Sequence, residues 1–141
     1  MDKIQRTIKN FCIDTFVLGA LIILGGIGNI ATFILLKLEH STIAYSYLIL
    51  PIIILGVGVY FIFLGKKLRK NRADLPQALE LVKNILALSS ILFFISVVGA
   101  IQSGKSAGII SPFLIIFIIL AFAAKAKIQK ILEPKENATA K

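Results

Sequence analysis

The sequence has few of the side chains on which enzymes and metal sites depend. Its 141 residues include one cysteine, one histidine and no tryptophan, and seven acids stand against sixteen lysines and arginines. A lone cysteine, Cys12, excludes an internal disulfide and a cysteine-based metal site within one chain. A lone histidine, His40, has no second imidazole with which to share a metal ion. We therefore predict no enzyme, and we assign no catalytic residue, metal ligand or cofactor.

Charge is missing from four long stretches of the chain. Residues 15–36, 41–65, 84–104 and 106–124 contain no Asp, Glu, Lys or Arg, and each stretch is 19 to 25 residues long. A helix of about 20 apolar residues crosses the hydrocarbon core of a bilayer. Helices of a soluble domain need a polar face, which these stretches lack. The sequence therefore predicts an all-α integral membrane protein with four transmembrane helices.

The four predicted spans leave no room for a separate soluble domain. We place them at about 11–36, 42–65, 78–102 and 107–127 of a single membrane domain, 1–141, whose last part is a polar cytoplasmic tail, 128–141. The first apolar run is longer than the roughly 7–15 residues of the apolar core of a cleavable signal peptide. We therefore expect it to be retained as the first span.

The basic residues predict how the chain is oriented. Fourteen of the sixteen lie before the first uncharged stretch, between the second and the third, or after the fourth, and the other two are Lys37 and Lys105. Lysine and arginine stay on the cytoplasmic side of a membrane. Both termini are therefore predicted to be cytoplasmic, with two antiparallel helical hairpins joined by short outer links. Composition rich in Ile and Lys favours a prokaryotic cell inner membrane.

Three local signals predict helix ends. Asp74 and Gln77 have the spacing of a capping box, so the third helix is expected to begin near Leu75, after a polar link over 66–77. Ser111-Pro112 is typical of a helix start, but a helix from Pro112 to Ala124 would be too short to cross the bilayer. We therefore expect the fourth helix to start near 107, to continue past Lys125, and to end before Pro134.

Four polar residues are candidates for a role inside the membrane. Asp14 lies about one turn into the first helix, where an acid is either a proton or cation site or an interfacial group that reaches water. We expect it to pair with Lys83. Asn29 lies in the outer half of the first span, and Gln102 and Ser103 on the third helix are its expected partners. The alternative for Asn29 is a glycine-rich break that lines a substrate site.

Small residues recur on one face of several predicted helices. Small side chains let membrane helices approach closely, so we interpret these faces as packing seams of the bundle, although part of them could face another subunit. The residues assigned to helix packing are Thr15, Gly19, Gly26, Gly58, Ser89 and Ser96.

A run of positive charge follows the second span. The basic segment, 66–72, is predicted to lie on anionic lipid headgroups, which attract each such charge by about 1 kcal/mol near the surface. The alternative is that it only sets the topology. Its charged members are Lys66, Lys67, Arg69, Lys70 and Arg72.

Two further patterns bear on function. Residues 99–106 match the letters of a phosphate-binding P-loop, but that loop needs a preceding strand, whereas this stretch ends a predicted span. The net charge of +9 is placed by topology rather than gathered on one face, so we expect no nucleic-acid partner. We predict a non-enzymatic accessory, scaffold or assembly subunit of a membrane complex, which binds other subunits or itself. The alternative is a small oligomeric transporter or channel.

Overall fold

Every regular element of the described chain is helical. The computed structural model describes the backbone of residues 3–103 and 110–139, and the side chains of residues 3–98, 101 and 112–133. The helices are α1 (Lys3–Glu39), α2 (Ile49–Lys70), α3 (Leu75–Ser103) and α4 (Ile110–Thr139), and a short 3-10 helix covers Tyr45–Leu48. All four α-helices are long and apolar enough to cross a membrane. The prediction of an all-α chain with four such helices is confirmed.

The start of α3 agrees with the sequence. The helix begins at Leu75, with Pro76 in its first turn, where a missing N–H costs no helical bond. The Asp74 carboxylate accepts a hydrogen bond from the Gln77 backbone N–H at 3.5 Å. Asp74 therefore caps the helix as the spacing predicts.

The predicted start of the α2–α3 link is wrong, and the limits of α2 differ from those of the predicted span, 42–65. The α-helix begins at Ile49 rather than near 42, because Pro51 has no N–H to bond the preceding turn. At the other end α2 continues to Lys70, so the link to α3 is 71–74 rather than 66–77. Positive charge in the last turn of a helix interacts favourably with the helix dipole, which allows the basic segment to be helical.

The prediction that α4 ends before Pro134 is also wrong. The helix continues through Pro134 to Thr139, so most of the predicted polar tail is helical. A proline within a helix removes the bond to the carbonyl four residues earlier, here that of Lys130. Lys130 is exposed, where solvent can satisfy its carbonyl. The expected start near 107 lies outside the described residues, as do residues 104–106 of the P-loop pattern.

The described chain divides into two compact units. The first unit comprises Met1–Cys12 and Lys67–Lys141, and the second comprises Ile13–Lys66. In the first unit α3 packs against α4. Its core includes Ile8, Leu68, Val82, Ile85 and Ile128, all fully buried, and Cys12, whose thiol is free. In the second unit α1 and α2 pack through glycines, as described below.

Candidate functional site

Glycines bring α1 and α2 together in the second unit. A Cβ added to Gly58 would lie 3.0 Å from the Gly19 backbone oxygen and 2.7 Å from the Ile23 side chain. A Cβ added to Gly26 would lie 2.8 Å from the Leu55 side chain. Only glycine permits this approach of two backbones. We call Gly19, Gly26, Gly58 and Gly65 the glycine seam.

Three other glycines of the second unit face open space. A Cβ added to Gly25, Gly28 or Gly56 would meet no heavy atom of the described residues within 4 Å. Gly28 and Gly56 are exposed, and Gly25 is half-buried. We call these three the outward glycines. The residues that the sequence assigned to helix packing include Gly19, Gly26 and Gly58 of the glycine seam and none of the outward glycines.

Polar side chains in the spans bond to their own helices. The Asn29 side-chain amide donates to the Gly25 carbonyl at 2.9 Å, and the Thr32 hydroxyl donates to the Gly28 carbonyl at 2.9 Å. In α3 the hydroxyls of Ser89 and Ser90 donate to the carbonyls of Ile85 and Leu86, at 2.7 and 2.9 Å. Such bonds satisfy a donor where the bilayer offers no water.

The remaining predicted polar and packing residues are placed as follows. Asp14 is half-buried in the second unit, and Lys83 is exposed in the first, so their ion pair stays a prediction. Thr15 is fully buried, as is Ser89. Ser96 is half-buried. The side chains of Gln102 and Ser103 lie outside the described residues, and their pairing with Asn29 stays a prediction.

Asn29 borders a pocket in the second unit. The pocket has a volume of about 480 Å³ and is lined largely by apolar side chains of α1, α2 and the segment between them, with Asn29 and Thr32 as polar members. We call it the Asn29 pocket. Apolar walls with a few polar groups are typical of sites for small ligands.

Lys37 holds the chain segment beside this pocket. Its ammonium group donates to the Ile43 carbonyl at 2.6 Å and lies 3.9 Å from the centre of the Tyr45 ring. The Phe33 ring packs against Tyr45, with ring centres 6.3 Å apart. The sequence identified Lys37 only as one of two basic residues on the outer side, and no local pattern predicts its contacts.

The basic segment occupies the end of α2 and the link that follows. Lys66, Lys67, Arg69 and Lys70 are exposed, and Arg72 is half-buried. Leu68 within the segment is fully buried. One apolar side chain thus anchors the helix end while four charges around it face outward.

A second group of basic residues lies elsewhere in the first unit. A pocket of about 290 Å³ is lined by residues from the first turns of α1 and the second half of α4. We call it the basic pocket. Its lining residues are Lys3, Ile4, Thr7, Lys127, Lys130 and Ile131. The sequence predicted that these lysines lie on one side of the membrane, but no pattern in it predicted that they line one pocket.

Two remaining features of the chain are groups of potential metal ligands and similarity to known proteins. Among the described residues, no group of three or more His, Cys, Asp or Glu side chains could hold a metal ion. Comparison of the chain with protein-family models, with curated proteins and with solved structures finds no match.

Proposed function

We propose that this chain is a non-enzymatic accessory, scaffold or assembly subunit of a membrane complex, which binds other membrane subunits or itself. The outward glycines carry the proposal. Each glycine within a helix costs roughly 1 kcal/mol relative to alanine. The glycine seam offsets that cost by close packing, whereas no described residue packs on the outward glycines closely enough to require their small size. A helix of another subunit that packed against the outward glycines would require their small size.

The outward glycines belong to two exposed surfaces. On α1, Gly25 and Gly28 are spaced by three residues, and Thr32 follows four residues later, so the three share one side of the helix. On α2, Gly56 shares a side with Val59 and Phe63, both more than half exposed. Small residues flanked by large apolar ones form the usual surface on which membrane helices associate.

The polar groups in the spans support a structural role. The donors of Asn29, Thr32, Ser89 and Ser90 are bonded to backbone carbonyls of their own helices. A transfer reaction or a proton relay needs donors and acceptors that face one another across a site. These four polar side chains of the spans instead donate hydrogen bonds to carbonyls one turn earlier in their own helices.

We further propose the membrane arrangement in which this subunit acts. Both termini are cytoplasmic, the helices form two antiparallel hairpins, and the membrane is a prokaryotic cytoplasmic membrane. The distribution of basic residues supports the orientation. The seam supports the first hairpin, because Phe16 faces Gly65, Gly19 faces Ile62, and Gly26 faces Leu55, an order that runs in opposite directions on the two helices. The basic segment then contacts anionic headgroups, and no nucleic-acid partner is needed to explain its charge.

Co-purification in mild detergent tests the subunit proposal. We expect the tagged full chain to retain a stoichiometric partner, either another protein or a second copy. Gly25→Ile with Gly28→Ile should release the partner, because the added side chains separate the helices. Ala20→Ile with Ala31→Ile is the matched control, since both alanines are exposed on another side of α1. A lone wild-type monomer, or equal retention by both double variants, would contradict the proposal.

The Asn29 pocket favours a second candidate, a small oligomeric transporter or channel. Its volume and its two polar side chains suit a small ligand. Flux assays in liposomes with proton, potassium and chloride reporters test this candidate. Transport that is lost in Asn29→Leu and kept in Asn84→Leu, an exposed asparagine of α3, would favour it over the accessory role. Absence of flux for the wild-type chain would count against it.

A further inference from the structure

We propose that the basic pocket binds the phosphate group of an anionic phospholipid. This site is distinct from the basic segment, whose charged residues line the end of α2 and the link after it. It does not depend on the accessory role, because lipid binding at a defined site can be measured on the isolated chain.

Lysines from two helices line the pocket. Lys127, Lys130 and Ile131 follow the spacing of one helix face, and Lys3 and Thr7 are one turn apart on α1. No acid is among the described residues that line the pocket. Three lysines line one cavity, and a phosphate anion bound there would be attracted by all three charges.

The start of α1 adds to this attraction. The pocket lies against the first turn of α1, where backbone N–H groups have no partner within the helix. The helix dipole also places partial positive charge there, which favours an anion. The Thr7 hydroxyl donates to the Lys3 carbonyl at 3.2 Å and so bonds within this turn.

Packing within the first unit holds the two walls in place. Ile4, Ile8 and Ile128 are buried. The rings of Phe11 on α1 and Phe117 on α4 stack with their centres 5.4 Å apart. The lysines therefore extend from walls that are already assembled, so binding needs only side-chain ordering.

The shape and borders of the pocket favour a lipid over a soluble anion. A volume of about 290 Å³ fits a phosphate ester rather than a whole lipid, so the remainder of the ligand must lie outside. Ile4 and Ile131 give the pocket an apolar border beside the lysines. A phospholipid presents the same sequence of groups, phosphate followed by glycerol and acyl chains. Basic pockets between membrane helices are known to bind such headgroups.

Native mass spectrometry of the purified full chain tests the proposal. Phosphatidylglycerol is titrated into the detergent-solubilised protein, and the fraction with one bound lipid is measured. We expect Lys3→Gln with Lys127→Gln and Lys130→Gln to weaken this binding on the order of 100-fold. The matched control, Lys9→Gln with Lys83→Gln and Lys125→Gln, removes the same charge from positions outside both the basic pocket and the basic segment and should change it by less than about threefold. Arginine at the three pocket positions should preserve binding.

Additional measurements distinguish a lipid phosphate from a soluble one and replace the triple variant if it does not fold. Phosphatidylcholine should bind weakly because its choline cancels the phosphate charge, and glycerol phosphate should not compete. Effective competition by glycerol phosphate would overturn the lipid assignment in favour of a soluble phosphate compound. Equal loss in both triple variants, or equal binding of phosphatidylcholine, would overturn the site. Should the pocket triple variant not fold, Lys130→Gln alone should weaken binding about fivefold, and Lys9→Gln, at an exposed lysine outside the pocket, should not.

Discussion

At the scale of single residues, the glycines of α2 have different environments, and the sequence assigned Gly58 but not Gly56 to helix packing. Gly58 faces the Gly19 backbone, and Gly56, two residues earlier, faces open space. Residues two apart point to different sides of a helix, so only one of them can lie in a given helix contact. The sequence did not predict the contacts of Lys37, because its partner carbonyl, that of Ile43, belongs to a loop whose course no local pattern predicts.

This difference gives the first prediction. Gly58→Ala should lower the free energy of unfolding by about 1–3 kcal/mol, because its methyl group would lie 3.0 Å from the Gly19 oxygen. Gly56→Ala is the control and should not destabilise the purified chain, since its methyl group meets nothing and alanine favours the helix. Unfolding of helicity in detergent, followed by circular dichroism, measures both. Equal loss in the two variants would show that α1 and α2 do not meet through the glycine seam.

At the scale of helices, the ends that depend on local chemistry agreed with the sequence, and the others did not. Asp74 caps α3 through a bond to a residue three positions away, so the sequence contains both partners. The end of α4 depends on whether solvent can satisfy the carbonyl that Pro134 leaves free. The α-helix α2 begins at Ile49 rather than near the start of the predicted span at about 42, and Pro51 lies in its first turn rather than in its middle.

The cap of α3 gives the second prediction. Asp74→Ala should destabilise the start of α3 by about 1 kcal/mol, because the Gln77 N–H loses its acceptor. Asp74→Asn is the control, since asparagine caps equally well. Hydrogen exchange of the amides in the first turn of α3 should accelerate in the alanine variant alone. Unchanged exchange in Asp74→Ala would mean that the bond adds nothing to helix stability.

At the scale of the whole molecule, the described chain leaves most of its apolar spans exposed, and the four helices are long and apolar enough to cross a membrane. In each of the four candidate spans, only 28% of the most apolar window is buried within the described chain. Large residues such as Phe94 and Ile119 are more than half exposed. Water would make this surface costly at roughly 25 cal/mol per Å² of apolar area, whereas lipid solvates it. The described chain therefore buries too little of its apolar surface for a water-soluble protein.

The proposed topology gives the third prediction. In a Cys12→Ala background, a membrane-impermeant maleimide should label His40→Cys in intact cells, because the proposed topology places the α1–α2 link outside. It should label Ala73→Cys only after permeabilisation, because the same topology places the α2–α3 link in the cytoplasm. Both positions are exposed, so lack of labelling cannot be due to burial. Labelling of Ala73→Cys in intact cells would reverse the topology.

The sequence by itself determined that four helices are apolar enough to cross a membrane, the cap of α3 and the uneven distribution of basic residues on which the proposed orientation depends. These depend on composition and on contacts within one turn of helix, which are legible along the chain. The tertiary structure decided which residues the packing glycines contact, how Lys37 holds its loop, and that Lys3, Lys127 and Lys130 line one pocket. Those outcomes depend on which helices meet and in what register, and apolar helix surfaces leave little in the sequence to show which partner a given face contacts.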